Sequence, residues 1–237
     1  MFNSVCECRI RAVNKSTTAR KPGPRKSVAP ADARAVRESA LNQARRALIL
    51  DAARSAFFEL GLDGASLREI AKRAGYTPGA IYSYFANLEE IYGALLGESL
   101  QRLNQAVEAA TGPDERASAG DLLRAKAGAF YVFYRDNPKE LDLGFYLFDG
   151  MKPRGLTPEL NHELNERLMA ALRPAQAQLE ALGLSTAEAV VETSALFAQI
   201  VGILVLNNTG RIRLFRQSPD RLFERYLESL IARLPRS

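Results

Sequence analysis

The chain has 237 residues, 47% of them hydrophobic and 25% charged, which is the composition of a globular protein with ample core. The formal net charge of +5 is unevenly placed: residues 1–37 hold nine Lys/Arg against two acids, and the remainder holds 23 bases against 25 acids. The basic character therefore belongs to the N-terminal tail, which suggests a polyanion partner for that end. The two cysteines, Cys6 and Cys8, are one residue apart, too close to staple a core and without further ligands for a zinc site. They read as reduced thiols of a cytoplasmic protein. No apolar segment follows the N-terminal charges as a signal peptide would require. The stretch 189–206 is interrupted by Glu192, Thr193, Ser194 and Gln199, and is expected to be a buried helix rather than a membrane span.

In chain order, residues 1–40 mix Lys, Arg, Ser, Thr, Pro and Ala around Lys21-Pro22-Gly23-Pro24-Arg25-Lys26, and are expected to be disordered. Two readings compete for this basic arm. It touches DNA phosphates, or it is a solvated tail, in part an artefact of the start site. A first helix is predicted over about 42–60, with Ile49, Ala52, Ala53, Ala56, Phe57 and Leu60 on one face and Gly61 ending it. Arg45 and Arg46 fall near its start, where positive charge opposes the helix dipole. A phosphate there would offset the penalty; the alternative is a surface pair with no partner.

After a loop at 61–65, Ser66 and Glu69 have the spacing of a capping box, and Leu67, Ile70, Ala71 and Ala74 form one apolar stripe. Gly75 stops that helix, and Thr77-Pro78 starts the next with a hydroxyl cap and a first-turn proline. The pattern is helix, tight turn, helix. No charge occurs from Thr77 to Phe85, which suits a helix pressed into a DNA groove. Asn87 and Glu90 predict the cap of a long helix to about Ala110.

Everything from Thr111 onward reads helical. A helix over 114–135 ends in the cluster Phe130, Tyr131, Phe133 and Tyr134, and Pro138 starts a shorter one reaching Phe148. Thr157-Pro158 opens a helix to about Leu182 with Pro174 as an expected kink. Ser185/Glu188 caps an apolar helix ending near Leu206, and Ser218-Pro219 opens the last one. No strand alternation or internal repeat is present. The expected fold is all-α, with a helix-turn-helix head over 41–92 and a helical body over 93–237.

Residues of about 43–92 resemble the N-terminal domain of the tetracycline-repressor-like (TetR) family of transcriptional regulators. The likeness is carried by Ile49-Leu50-Asp51-Ala52-Ala53, Phe57, Gly61, Ser66-Leu67-Arg68-Glu69-Ile70-Ala71, Ala74-Gly75, Thr77-Pro78-Gly79-Ala80-Ile81-Tyr82, Tyr84-Phe85 and Asn87-Leu88-Glu89-Glu90-Ile91. The resemblance implies a three-helix DNA-binding head on an effector-binding and dimerisation body, the dimer forming through about 186–208 and 219–234. Broad apolar faces on both helices agree with an isologous interface. The bland alternative makes 186–208 a central core helix.

The resemblance also makes Thr77–Tyr84 the recognition helix. Thr77 and Ser83 are then assigned to phosphates or base edges, Gly79 and Ala80 to close approach and thymine methyls, and Tyr82 and Tyr84 to phosphates, with Pro78 counted among the DNA-binding residues. Ile81 and Phe85 read as core. Relatives carry lysines near the start of the fourth helix; this chain has Ala86 and Leu88. Phosphate binding must rest on amides near Asn87, on Ser66, Arg45, Arg46 and Arg68, or on the arm. Candidate effector-pocket residues are Phe130, Tyr134, Phe145, Phe148, Met151, Met169 and Phe197. His162 lies in a polar run and is expected at the surface. The implied function is a repressor released from a pseudo-palindromic operator by a small apolar or aromatic effector. Neither a cofactor nor a metal is expected, nor an enzymatic activity: the chain has no phosphate loop and no nucleophile with a plausible His base. The competing reading is an all-α protein-interaction bundle without specific DNA binding.

Overall fold

The computed structural model describes residues 30–114, 116–145 and 156–234; what is expected of residues 1–29, Phe148 and Met151 lies outside these. No strand occurs among the described residues. The helices are α1 (Pro30–Gly64), α2 (Leu67–Ala74), α3 (Pro78–Ile81), α4 (Leu88–Ala109), α5 (Ala119–Asp136), α6 (Pro138–Phe145), α7 (Pro158–Ala181), α8 (Thr186–Asn208) and α9 (Pro219–Ala232). A 3-10 turn, Arg211–Phe215, joins the last two.

Two compact units divide at Asn42/Gln43. In the first, residues 30–40 are helical, where the composition suggested disorder. Pro30 suits a first helical turn, and Ala31, Ala33, Ala35 and Ala40 are the strongest helix formers available.

In the second unit, α1 breaks where Gly61 takes φ 73° and ψ 177°, a conformation open essentially to glycine alone. Its inward stripe, with Ile49, Ala53 and Ala56 fully buried, meets Ile70 and Ala71 of α2 and Ile81 of α3 in one apolar cluster. Polar ties hold the same helices together. Arg73 of α2 reaches Glu59 and Ser55 of α1 and Glu69 of its own helix, at 2.8–2.9 Å. Arg54 of α1 reaches Glu98 of α4 at 2.6 Å.

Along helix α4, Ile91, Leu95, Leu100, Leu103 and Val107 are all buried, in the cluster that also holds the head's Ile49, Ile70 and Ile81. Tyr92 sits at the junction. Its ring meets Phe57 edge-on at 6.2 Å and its hydroxyl donates to the Leu143 carbonyl of α6 at 2.5 Å. The body packs α4, α5, α7 and α8 against one another.

The polar caps of the predicted starts mostly form. Ser185 and Glu188 make a full capping box, as do Ser118 and Asp121, which start α5 five residues later than expected. Ser66 accepts from the Glu69 amide at 3.2 Å, but the Glu69 carboxylate turns to Arg73 instead of reaching back. A charged partner at 2.8 Å wins over an exposed amide. Helix α7 runs through Pro174 to Ala181.

The expectation for α8 needs correction. This 23-residue helix is long and apolar enough to cross a membrane by length and composition, its 18-residue apolar window having a mean hydropathy of 2.0. Glu192, Thr193, Ser194 and Gln199 lower it, but the Val, Ile, Leu, Phe and Ala residues around them outweigh them. Only a third of that apolar window is buried, so α8 is not a simple core helix.

Candidate nucleic-acid interface

The local sequence builds the head's exposed surface. Gly75 ends α2 in the left-handed region (φ 72°, ψ 26°), with its amide on the Ala71 and Lys72 carbonyls. Thr77 then caps α3, its hydroxyl accepting from the Ala80 amide at 3.3 Å. Helix α3 is a single turn; Tyr82–Tyr84 continue as turns, closed by Tyr84 and Phe85 amides on the Ile81 carbonyl at 2.8 and 3.0 Å. The expected helix to Tyr84 is therefore shorter, since Ile81 and Phe85 must both reach the core, 0% and 1% exposed.

Around those two anchors, Thr77, Pro78, Gly79 and Ser83 are exposed and Tyr82 is 58% exposed. An exposed tyrosine flanked by core residues has no packing role to fill. Ala80 and Tyr84 are half-buried, Tyr84 against the core. Ser66 is exposed and spent on its cap.

The charges divide sharply. Arg46 is engaged within the protein: its guanidinium donates to the Tyr84 carbonyl at 2.8 Å and lies over the Phe85 ring at 3.9 Å. Arg45 and Arg68 are exposed and pair with no carboxylate among the described residues. Sequence reading missed Lys72, which is exposed one turn after Arg68 on the solvent side of α2. The (i, i+4) spacing of the two bases was the available signal.

At the start of α4, Asn87 accepts from the Glu90 amide at 2.8 Å, while Glu90 itself accepts from the Ala86 amide at 2.7 Å. Two of the amides there are thus already bonded, and Glu89 and Glu90 place negative charge beside the rest.

The body holds a cavity of about 260 Å³ lined by Leu96, Leu100, Tyr134, Gly144, Phe145, Leu156, Asn161, Leu164, Asn165 and Leu168. Of the candidate pocket residues, Tyr134 and Phe145 line it. Phe130 and Phe197 lie behind, edge-on to each other at 5.9 Å, with Phe197 also 5.7 Å from Phe145. Met169 is 40% exposed at the surface, because it falls on the outer side of α7 one residue after the lining Leu168. His162 is exposed, as its polar neighbours indicated. Burial, then the Glu140 carboxylate, push the Tyr134 hydroxyl well above its usual range, so it enters any contact as a neutral phenol. Helix α7 gave no aromatic signal, so Asn161, Leu164 and Asn165 were not legible as lining.

A model of the bacterial regulatory proteins of the tetR family matches residues 49–95, and a tetracyclin repressor-like C-terminal domain model matches residues 123–230. The HTH-type transcriptional regulator TtgR of Pseudomonas putida is 38% identical over 73 residues, 31% of this chain. The match spans about a third (35%) of TtgR's own length. A bacterial regulatory protein in the tetR family from Rhodococcus RHA1 superposes with a TM-score of 0.61 at 22% identity, over 81% of this chain and 98% of that one. The transcriptional regulator FadR from Bacillus subtilis, in complex with stearoyl-CoA, superposes with a TM-score of 0.55 at 22% identity, over 78% and 96%. At such identities these two structures establish the fold. The two family models, over residues 49–95 and 123–230, show that the chain belongs to the tetracycline-repressor-like (TetR) family.

Proposed function

We propose that this protein is a homodimeric, ligand-responsive transcriptional repressor acting in the cytoplasm. The observation that carries the reading is the surface around α3: Thr77, Pro78, Gly79, Tyr82 and Ser83 face solvent while Ile81 and Phe85 are locked in the core. Such an element enters a major groove with its N-terminal end and stays rigid doing so. Gly79 and Ala80 allow close approach, and Tyr82 and Ser83 supply hydrogen bonds to base edges or phosphates. Arg45, Arg68 and Lys72 supply the phosphate charge, with Ser66, Tyr84 and Asn87 beside them. Arg46 holds the end of the recognition element from within. The head is taken as residues 41–92 and the body as 93–237.

Two heads about 34–36 Å apart read successive major grooves of a pseudo-palindromic operator. The dimer forms through α8 and α9, about 186–208 and 219–234. The cavity bounded by α4, α5, α6 and α7 takes a small apolar or aromatic effector, oriented by Tyr134, Asn161 and Asn165. Effector binding lowers operator affinity only by its differential affinity for the two dimer arrangements.

The test is fluorescence anisotropy with DNA from the region upstream of the protein's own gene, at several salt concentrations. Expected is a sequence-dependent complex whose affinity falls steeply with salt, and which Tyr82→Ala abolishes without loss of helicity. Binding that ignores sequence, or no binding, overturns the reading in favour of a protein-interaction bundle.

A further inference from the structure

Two polar atoms beside the body's cavity have no hydrogen-bond partner among the described residues: the Tyr134 hydroxyl and Oε2 of Glu140. Tyr134 is 1% exposed and Glu140 7%. Buried polar atoms are nearly always bonded, and a carboxylate left unbonded is the costliest exception. The Ser99 and Thr193 hydroxyls also lack partners, but neither residue lines the cavity. A helical hydroxyl can turn to a carbonyl of its own helix, and a carboxylate cannot.

Helices α5 and α6 bring the two atoms to one place. Tyr134 lines the cavity from α5. Glu140 stands on α6 four residues before Gly144, another lining residue, and positions four apart share a helix face. A Cβ on Gly144 would lie 3.8 Å from the Tyr134 hydroxyl oxygen, so the hydroxyl meets that helix at the cavity wall. After burial, the charge of Glu140 is what raises the pKa of this hydroxyl, which puts the two groups within electrostatic reach. No hydrogen bond joins them, and the other Glu140 oxygen is taken by Arg102 of α4.

The chemistry missing between them is specific. The Tyr134 phenol has one proton to donate, and the free Glu140 oxygen can only accept. A neutral hydroxyl accepts from the first and donates to the second. An ether only accepts, which leaves Glu140 unbonded. A carboxylate does the same and adds like charge. An ammonium only donates, and Arg102 already balances the charge that would attract it. Most of the remaining wall is apolar, with Leu96, Leu100, Phe145 and Leu164 in it. We propose that the cavity takes an alcohol, a compact apolar body whose hydroxyl bridges Tyr134 and Glu140. The inference rests on the effector reading of this cavity and names the end group of the effector.

The test is isothermal titration calorimetry on the full chain with 3-phenylpropan-1-ol, its methyl ether and 3-phenylpropanoate. The alcohol is expected to bind at least tenfold more tightly than the other two. Tyr134→Phe keeps the ring and should weaken the alcohol at least tenfold while leaving the ether unchanged. In Glu140→Gln the amide oxygen stays with Arg102, which only donates, and the amide N–H takes the place of the free oxygen. That variant should weaken the alcohol and tighten 3-phenylpropanoate at least tenfold, a reversal that a merely structural role would not produce. Circular dichroism confirms that each variant is folded, and if Glu140→Gln is not, Tyr134→Phe decides. Equal binding of alcohol and ether, an order unchanged in the folded variants, or no binding of any probe overturns the proposal. Operator anisotropy is followed with the same alcohol. Binding in the expected order without operator release overturns the effector reading and leaves the alcohol site standing.

Discussion

Gly93 of α4 and Leu160 of α7 touch where no side chain would fit: a Cβ on Gly93 would lie 2.5 Å from Leu160 Cδ2. One turn on, Gly97 meets Arg167, whose guanidinium donates to the Gly97 carbonyl at 3.3 Å. Helix α4 meets α1 through Tyr92 on Phe57 and Glu98 on Arg54, and α7 lines the cavity through Asn161, Leu164 and Asn165. The glycine seam therefore packs a cavity-lining helix directly against α4. Gly93→Ala gains about 1 kcal/mol of helix propensity and loses about 1–3 to overpacking. A small net destabilisation is expected, relieved by Leu160→Ala in a double-mutant cycle read by thermal unfolding. Additive effects would mean that the two helices part easily. In operator-release titrations, Gly93→Ala should shift the effector concentration needed more than it shifts DNA affinity.

The division of arginines in the head makes a second expectation. On the proposed reading Arg68 contacts a phosphate, so Arg68→Ala should reduce the slope of log affinity against log salt by about 1. Arg46→Ala removes a bond to Tyr84 and a cation–π contact with Phe85. It should weaken operator binding by about 1 kcal/mol with the slope unchanged, because no phosphate is lost. Anisotropy titrations from low to moderate salt separate the two. Equal slope changes would place Arg46 on DNA after all.

Asp220, in the first turn of α9, accepts from Arg135 at 2.9 Å and from Tyr131 at 2.8 Å, and Tyr131 stacks on Phe223 at 4.2 Å. The Arg135 bond first, then the Tyr131 bond, hold its carboxyl below the ordinary carboxylate range. A folded value below the unfolded one means the contribution is complete above about pH 4 and is lost as pH falls through the folded value. Asp220→Asn should lower stability at pH 7 by about 1 kcal/mol, since the pair is largely exposed. The difference from the unaltered protein should shrink as the pH falls below about 4, in denaturant midpoints measured across that range.

Glu140 is buried at the base of α6, one oxygen accepting from Arg102 and the other without a hydrogen-bond partner among the described residues. Arg102→Leu strands that carboxylate and should cost about 2–3 kcal/mol. Arg102→Leu/Glu140→Leu should recover most of it, because an apolar pair avoids the desolvation that the ion pair only partly offsets. Chemical denaturation of the single and double variants decides. A double variant no better than the single one would show that Glu140 carries a further role beside Tyr134.

Much of the architecture was legible in order along the chain, because caps and breaks are local chemistry. Ser185 with Glu188, Thr157-Pro158, Ser218-Pro219 and Gly75 each start or stop a helix by hydrogen bonds within a few residues. Beside the resemblance, Ile81 and Phe85 read as core, and both are buried while Tyr82 and Ser83 lie outside. What only the tertiary structure decided involves partners far apart in sequence. Arg46 meets Tyr84 and Phe85 across 38 residues, which turns an apparent phosphate ligand into a brace. The cavity wall comes as much from asparagines and leucines of α7 as from the aromatic run of α5, since lining depends on where helices cross and not on side-chain type. The outer face of α8 is apolar yet uncovered in one chain. Periodicity alone cannot separate such a face from a core, because both remove the same side chains from water and differ only in which molecule supplies the other half.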